Sequence, residues 1–138
     1  MKKIFFILLF LFINTVVFCE QNNGPHQTLT LINEGKNDEA IEQIKQDLLQ
    51  NETAEKYILM AIAYIEEEKF NLAEESLNKA ISLQPKAVPA YYMLAMLYEK
   101  QKLWDKAIEK WDNICKYTKN EKLKELAQKH LEQLKGDL

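Results

Sequence analysis

Catalysis needs titratable or nucleophilic side chains that converge, and this sequence offers few of them. Its two histidines, His26 and His130, stand at opposite ends, and neither has another histidine or a cysteine at metal-ligand spacing. Glu66, Glu67 and Glu68 form an acidic run of the kind that could hold a cation or move a proton. The run closes a helical pattern just before Lys69 and Phe70, where solvated charge is ordinary, so it reads as surface. Cys115 lies inside a helical pattern and reads as a small buried apolar residue; with Cys19 as the only other cysteine, no disulfide framework is expected. Glycine-rich phosphate loops, a serine–histidine–aspartate set and zinc-type cysteine pairs are all missing. His130 falls on an apolar stripe, the setting of a half-buried packing histidine. The expectation is a protein that is not an enzyme and needs no cofactor or metal.

All 18 basic residues are lysines, so the planar guanidinium fork that phosphate and base recognition exploit is absent. No dense lysine stripe replaces it, and nucleic acid is not an expected partner. The 138 residues are 47% apolar with three glycines and three prolines, a composition for one globular domain built from long helices.

The N-terminus reads differently. Lys2 and Lys3 precede an apolar run over residues 4–18 broken only by Asn14 and Thr15, the pattern of an export signal. As a helix the run would span about 22 Å, short for a membrane anchor. Cys19 ends it and resembles the acceptor cysteine of bacterial lipoproteins, a candidate lipid anchor, although Phe18 stands where those signals prefer a small residue. Val17 and Cys19 also suit ordinary cleavage before Glu20, and an uncleaved anchor is the third possibility. Each would export the body, to the periplasm or to a membrane-anchored place at the cell envelope. Without Lys2 and Lys3 the body has 16 lysines against 21 acidic residues, a net charge of −5.

The elements behind these residues follow from an internal repeat. A shift of 34 residues pairs Tyr57 with Tyr91, Ala61 with Ala95, Tyr64 with Tyr98 and Ala73 with Ala107. It also pairs Met60 with Leu94, Phe70 with Trp104, Leu77 with Trp111 and Ile81 with Cys115, apolar on both sides. The small alanines let helices approach closely while the tyrosines fill the space beside them. Pro85 cannot continue a helix, so one unit ends there. A looser upstream copy runs through Gly35, Ala40, Ile41, Ile44 and Leu48, with Ala40 33 residues before Ala73. A terminal stripe of Leu123, Leu126, Ala127, Leu131 and Leu134 would cap the array. The spacing predicts seven helices, near 25–34, 37–50, 54–67, 70–83, 88–101, 104–117 and 121–135.

These residues resemble the tetratricopeptide repeat, whose pattern is W-x-x-L-G-x-x-Y, then A-x-x-x-F, then P. Tyr57, Met60, Ala61, Tyr64, Ala73, Leu77 and Pro85 follow it; so do Tyr91, Leu94, Ala95, Tyr98, Ala107 and Trp111, with Lys119 in the proline's place. The resemblance implies an all-α solenoid of antiparallel helix-turn-helix repeats. Its expected division is an export signal (1–19), a degenerate repeat (20–53), two clear repeats (54–118) and a capping helix (119–138).

Once the packing positions are removed, Ile58, Ile62 and Ile65 remain as a second stripe. The same register gives Tyr92 and Met96 downstream and Leu29 and Ile32 upstream. In the family this face lines a concave groove that binds peptides, so the resemblance implies an apolar partner-binding groove. The family's carboxylate clamp is not expected, because Ile58, Ile62, Tyr92 and Met96 hold the places of its lysines and asparagines. Another protein fills the groove, or the chain's own N-terminal segment or a second copy covers it, or it takes no ligand. The function expected is therefore a protein–protein interaction scaffold, with a self-associating structural subunit as the alternative.

Overall fold

The computed structural model describes residues 25–136, so the segment with Lys2, Lys3 and Cys19 lies outside the described residues. The described chain forms seven helices: α1 Pro25–Asn33, α2 Asn37–Gln50, α3 Ala54–Glu66, α4 Phe70–Leu83, α5 Val88–Lys100, α6 Trp104–Tyr117 and α7 Glu121–Gly136. Each starts at the residue expected from the sequence, and each end falls within one residue of expectation. The fold is an all-α solenoid in which α3 packs on α4 and α5 on α6 as antiparallel pairs, with α2 against α3, α4 against α5 and α7 laid on α6.

Local signals explain the boundaries. The Thr53 hydroxyl accepts from the Lys56 N–H at 3.3 Å and caps α3. The Lys56 ammonium then reaches back to the carbonyls of Asp47 and Asn51, at 2.8 and 2.7 Å, satisfying the end of α2. Asn120 caps α7 by accepting from the Leu123 N–H at 3.1 Å. After α4 the chain turns through Pro85, whose carbonyl accepts the Tyr91 hydroxyl at 3.0 Å.

The turn inside each pair is the same object three times. Gly35, Glu68 and Lys102 have positive φ, at 74°, 56° and 58°. In each, the N–H of that residue bonds three residues back, and the next N–H bonds five back: to Ile32 and Leu31, to Ile65 and Tyr64, to Glu99 and Tyr98. This is the Schellman closure of a helix C-terminus. The acidic run falls here: Glu67 pairs with Lys69 at 2.6 Å and Glu68 supplies the left-handed residue. Five residues past each turn, Ala40, Ala73 and Ala107 are fully buried, so the following helix lies tightly on the preceding one.

Buried side chains fall into two clusters. The first runs from Ile32 and Ile44 through Met60, Ala61 and Leu77 to Leu94 and Leu97; the second gathers Tyr91, Ala95, Trp111, Ile114, Ala127 and Leu131. Trp111 is the largest fully buried side chain of the described residues. Cys115, expected to be buried, is half-buried with its sulfur 4.0 Å from the Lys124 carbonyl, and that burial raises its thiol pKa.

Candidate functional site

The stripe that the sequence picks out divides in the structure. Ile58, Ile62 and Ile65 on α3 are half-buried against the first core cluster, and Tyr92 on α5 leans on the second. Leu29 is 37% exposed and Met96 41%, whereas Ile32 is 7% exposed and belongs to the core. The reason is packing: α1 lies directly on α3 and closes over Ile32, but α3 and α5 share no comparable contact. Ile32 therefore offers nothing to a partner, and the upstream end of the expected groove is partly closed.

Between α3 and α5 the gap is an open cleft of about 280 Å³ lined by Ile65, Phe70, Tyr92, Met93, Met96, Leu97 and Lys100. It brings together three of the expected residues: Ile65, Tyr92 and Met96. Phe70, Met93, Leu97 and Lys100 were not among them. Phe70 begins α4 where the Glu68 turn swings the chain back, and the Lys100 ammonium lies 4.6 Å from its ring centroid. Tyr92, Met96 and Lys100 follow at i, i+4 and i+8 along one face of α5. Methionines on such a wall let it repack around different side chains.

Behind Tyr92 stands a polar cluster. Glu99 takes the place, 34 residues on, that Ile65 holds in the preceding unit. Its Oε1 accepts from the Trp111 indole N–H at 2.5 Å and lies 2.9 Å from His130 Nδ1. A carboxylate only accepts, so the proton on that side of the imidazole sits on Nδ1. The His130 ring stacks on Trp111 with centroids 4.2 Å apart, and Tyr92 meets Trp111 edge-on at 5.6 Å. His130 is half-buried in packing, as expected, and also tethers α7 to α5.

A larger groove of about 560 Å³ lies over α3 and α4, lined by Tyr57, Met60, Tyr64, Leu72, Glu75, Ser76 and Lys79. Three of its polar side chains, Tyr57, Ser76 and Lys79, are already engaged. The Tyr57 hydroxyl donates to Glu52 at 2.6 Å, Lys79 pairs with the same carboxylate at 3.7 Å, and Ser76 donates to the Leu72 carbonyl at 2.8 Å. The bond to Glu52, with some desolvation, pushes the Tyr57 pKa up to about 12. Tyr98 is raised as well, by burial and by its bond to Glu74. Neither phenol is poised to act as an acid or base near neutrality. Among the described residues no group of three or more His, Cys, Asp or Glu side chains is placed to hold a metal ion. No described helix is long and apolar enough to cross a membrane.

Two family models of the tetratricopeptide repeat match the sequence, over residues 54–87 and 76–109. The first frames α3 with α4; the second is offset and frames the end of α4, α5 and the start of α6. Among solved structures, a crystal structure of MamA superposes with a TM-score of 0.65 at 22% identity, covering 88% of this chain and 81% of that one. A second crystal structure of the MamA protein gives 0.57 at 24% identity over 78% and 67%. At these identities the likeness is one of fold. No curated protein matches the sequence.

Proposed function

We propose that this tetratricopeptide-repeat chain is a non-catalytic scaffold for protein–protein interaction that takes a partner's apolar segment in the cleft between α3 and α5 and works, after export, at the bacterial cell envelope. The repeat family supports protein binding. Met96 carries the choice of site: a large apolar side chain 41% exposed at a concave surface that Ile65, Phe70, Tyr92, Met93 and Leu97 continue inward. Isolated exposed apolar residues are ordinary, but a concave apolar wall with a polar rim is the usual form of a recognition site. The envelope part of the reading is supported by Lys2, Lys3, the apolar run after them and Cys19.

A photo-crosslinking residue at Met96 is compared in the native cell with one at Glu109, whose side chain is 64% exposed on α6. One discrete heavier species from Met96 alone supports the reading and identifies the partner. Equal adducts from both positions, or none from Met96, refute it, and a Met96 adduct of twice the chain mass replaces it with self-association. Cell fractionation with mass analysis of the N-terminus tests export. A lipid on Cys19, a start at Glu20 or full-length chain in the membrane fraction supports it, and full-length chain in the cytosol refutes it.

A further inference from the structure

The cleft has one charged lining residue. Ile65, Phe70, Tyr92, Met93, Met96 and Leu97 make the wall, and Lys100 stands at its rim. Lys100 is exposed and its ammonium rests over the Phe70 ring, 4.6 Å from the centroid, so the charge stays open to water. No carboxylate among the described residues lies within 4.0 Å of it. The adjacent acid on the same helix, Glu99, has an oxygen engaged by Trp111 and His130. Two residues on, exposed Lys102 is equally without a carboxylate neighbour at the turn.

We infer that the segment taken by the cleft carries a carboxylate beside a large apolar side chain: the apolar group enters between α3 and α5, and the carboxylate meets Lys100. This rests on the cleft reading above and specifies its ligand. The volume, about 280 Å³, is at the lower edge of the roughly 300–1,000 Å³ of small-molecule sites and suits one or two side chains of a peptide. A partner carboxylate gains a charge-assisted hydrogen bond from an ammonium that no acid among the described residues pairs with. A lysine or arginine at the same place meets like charge, which turns away segments that are apolar but basic. Lys100 also lies outside Ile58, Ile62, Tyr92 and Met96, so the loss of the family's clamp at those places does not remove it.

The test selects a random-peptide library on the purified full chain. The peptide that emerges is then made with its acid or the matching amide, and with a free or amidated C-terminus. Winners are expected to hold Asp, Glu or a terminal carboxylate within two residues of a Leu, Ile, Phe or Met. Changing that acid to its amide should weaken binding roughly fivefold, the worth of a rim ion pair. Lys100→Gln should weaken it equally, and the two changes together no further. Loss on end-amidation alone assigns the carboxylate to the chain terminus; loss on Glu→Gln assigns it to a side chain. Winners indifferent to both the acid and Lys100→Gln, yet lost on Met96→Lys with helicity retained, overturn the carboxylate and leave the cleft standing. Three results overturn the cleft itself: no enrichment, binding that survives Met96→Lys, or a chain that sediments as a dimer which Met96→Lys disperses.

Discussion

Glu99→Ile gives α5 the residue that α3 carries at the equivalent place, so a reading from repeat consensus alone expects a neutral or stabilising change. The structure expects the opposite. Trp111 is fully buried and its indole N–H has Glu99 as partner, while His130 shares the same oxygen at a half-buried position. A buried donor left without a partner costs about 1–3 kcal/mol, and the fully buried indole sets most of that figure because the imidazole can turn to water. Against it stands the gain from a partly buried isoleucine. Since the Glu99 side chain is about one-fifth exposed, that gain is no more than about 1 kcal/mol. The net expectation is a loss centred on about 1 kcal/mol and no greater than about 2 kcal/mol once that gain is realised. Urea unfolding of wild type and Glu99→Ile, followed by circular dichroism, measures it. Trp111→Phe is then added to both backgrounds, and it should cost about 1 kcal/mol less in the Glu99→Ile background than in the wild type, because the orphaned donor has gone. Glu99→Ile at wild-type stability or above, with an additive cycle, would show that the cluster contributes nothing and that the repeat consensus was the better guide.

Other expectations follow from the turns, the phenols and the cleft. Glu68→Gly relieves a side chain held at φ 56° and should stabilise by about 1 kcal/mol, whereas Gly35→Ala, at φ 74° in the equivalent turn, should cost a similar amount despite open space around it. Urea midpoints moving together in one direction would sink this reasoning. Because the folded-state pKa of Tyr57 is raised to about 12 from 10, the folded state holds that proton more tightly. The stability it lends is complete below pH 10 and is lost as pH rises through 12. Tyr57→Phe should therefore flatten the stability profile between these values, and an unchanged slope would deny the Glu52 bond. Met96→Lys, at an exposed side chain, should change the unfolding free energy by no more than about 0.5 kcal/mol while abolishing capture at the cleft.

The helices were legible because the residues that build them recur. Ala40, Ala73 and Ala107 mark one packing position three times, and Tyr57 and Tyr91 another. The cleft was half legible for a definite reason. Periodicity assigns Ile65, Tyr92 and Met96 to a face, but it does not say how far apart two faces stand. That distance opened between α3 and α5 and closed between α1 and α3, bringing half-buried Phe70 and Met93 and buried Leu97 to the lining of the cleft and burying Ile32. Glu99 carries a signal of its own in the sequence. An acid breaking an apolar register, one helix before a core tryptophan that needs an acceptor, marks a buried hydrogen bond.

The two core clusters give the cleft a mechanical meaning. Ile65, Phe70 and Met93 pack on the first cluster and Tyr92 on the second, with Ile81 and Leu134 touching both. The cleft thus lies where the two clusters meet across α5, which gives Leu94 and Leu97 to one and Tyr91 and Ala95 to the other. A side chain seated there acts as a wedge with a fixed thickness. Because the walls of the cleft belong to both clusters, a group seated there would bear on the two parts of the core at once.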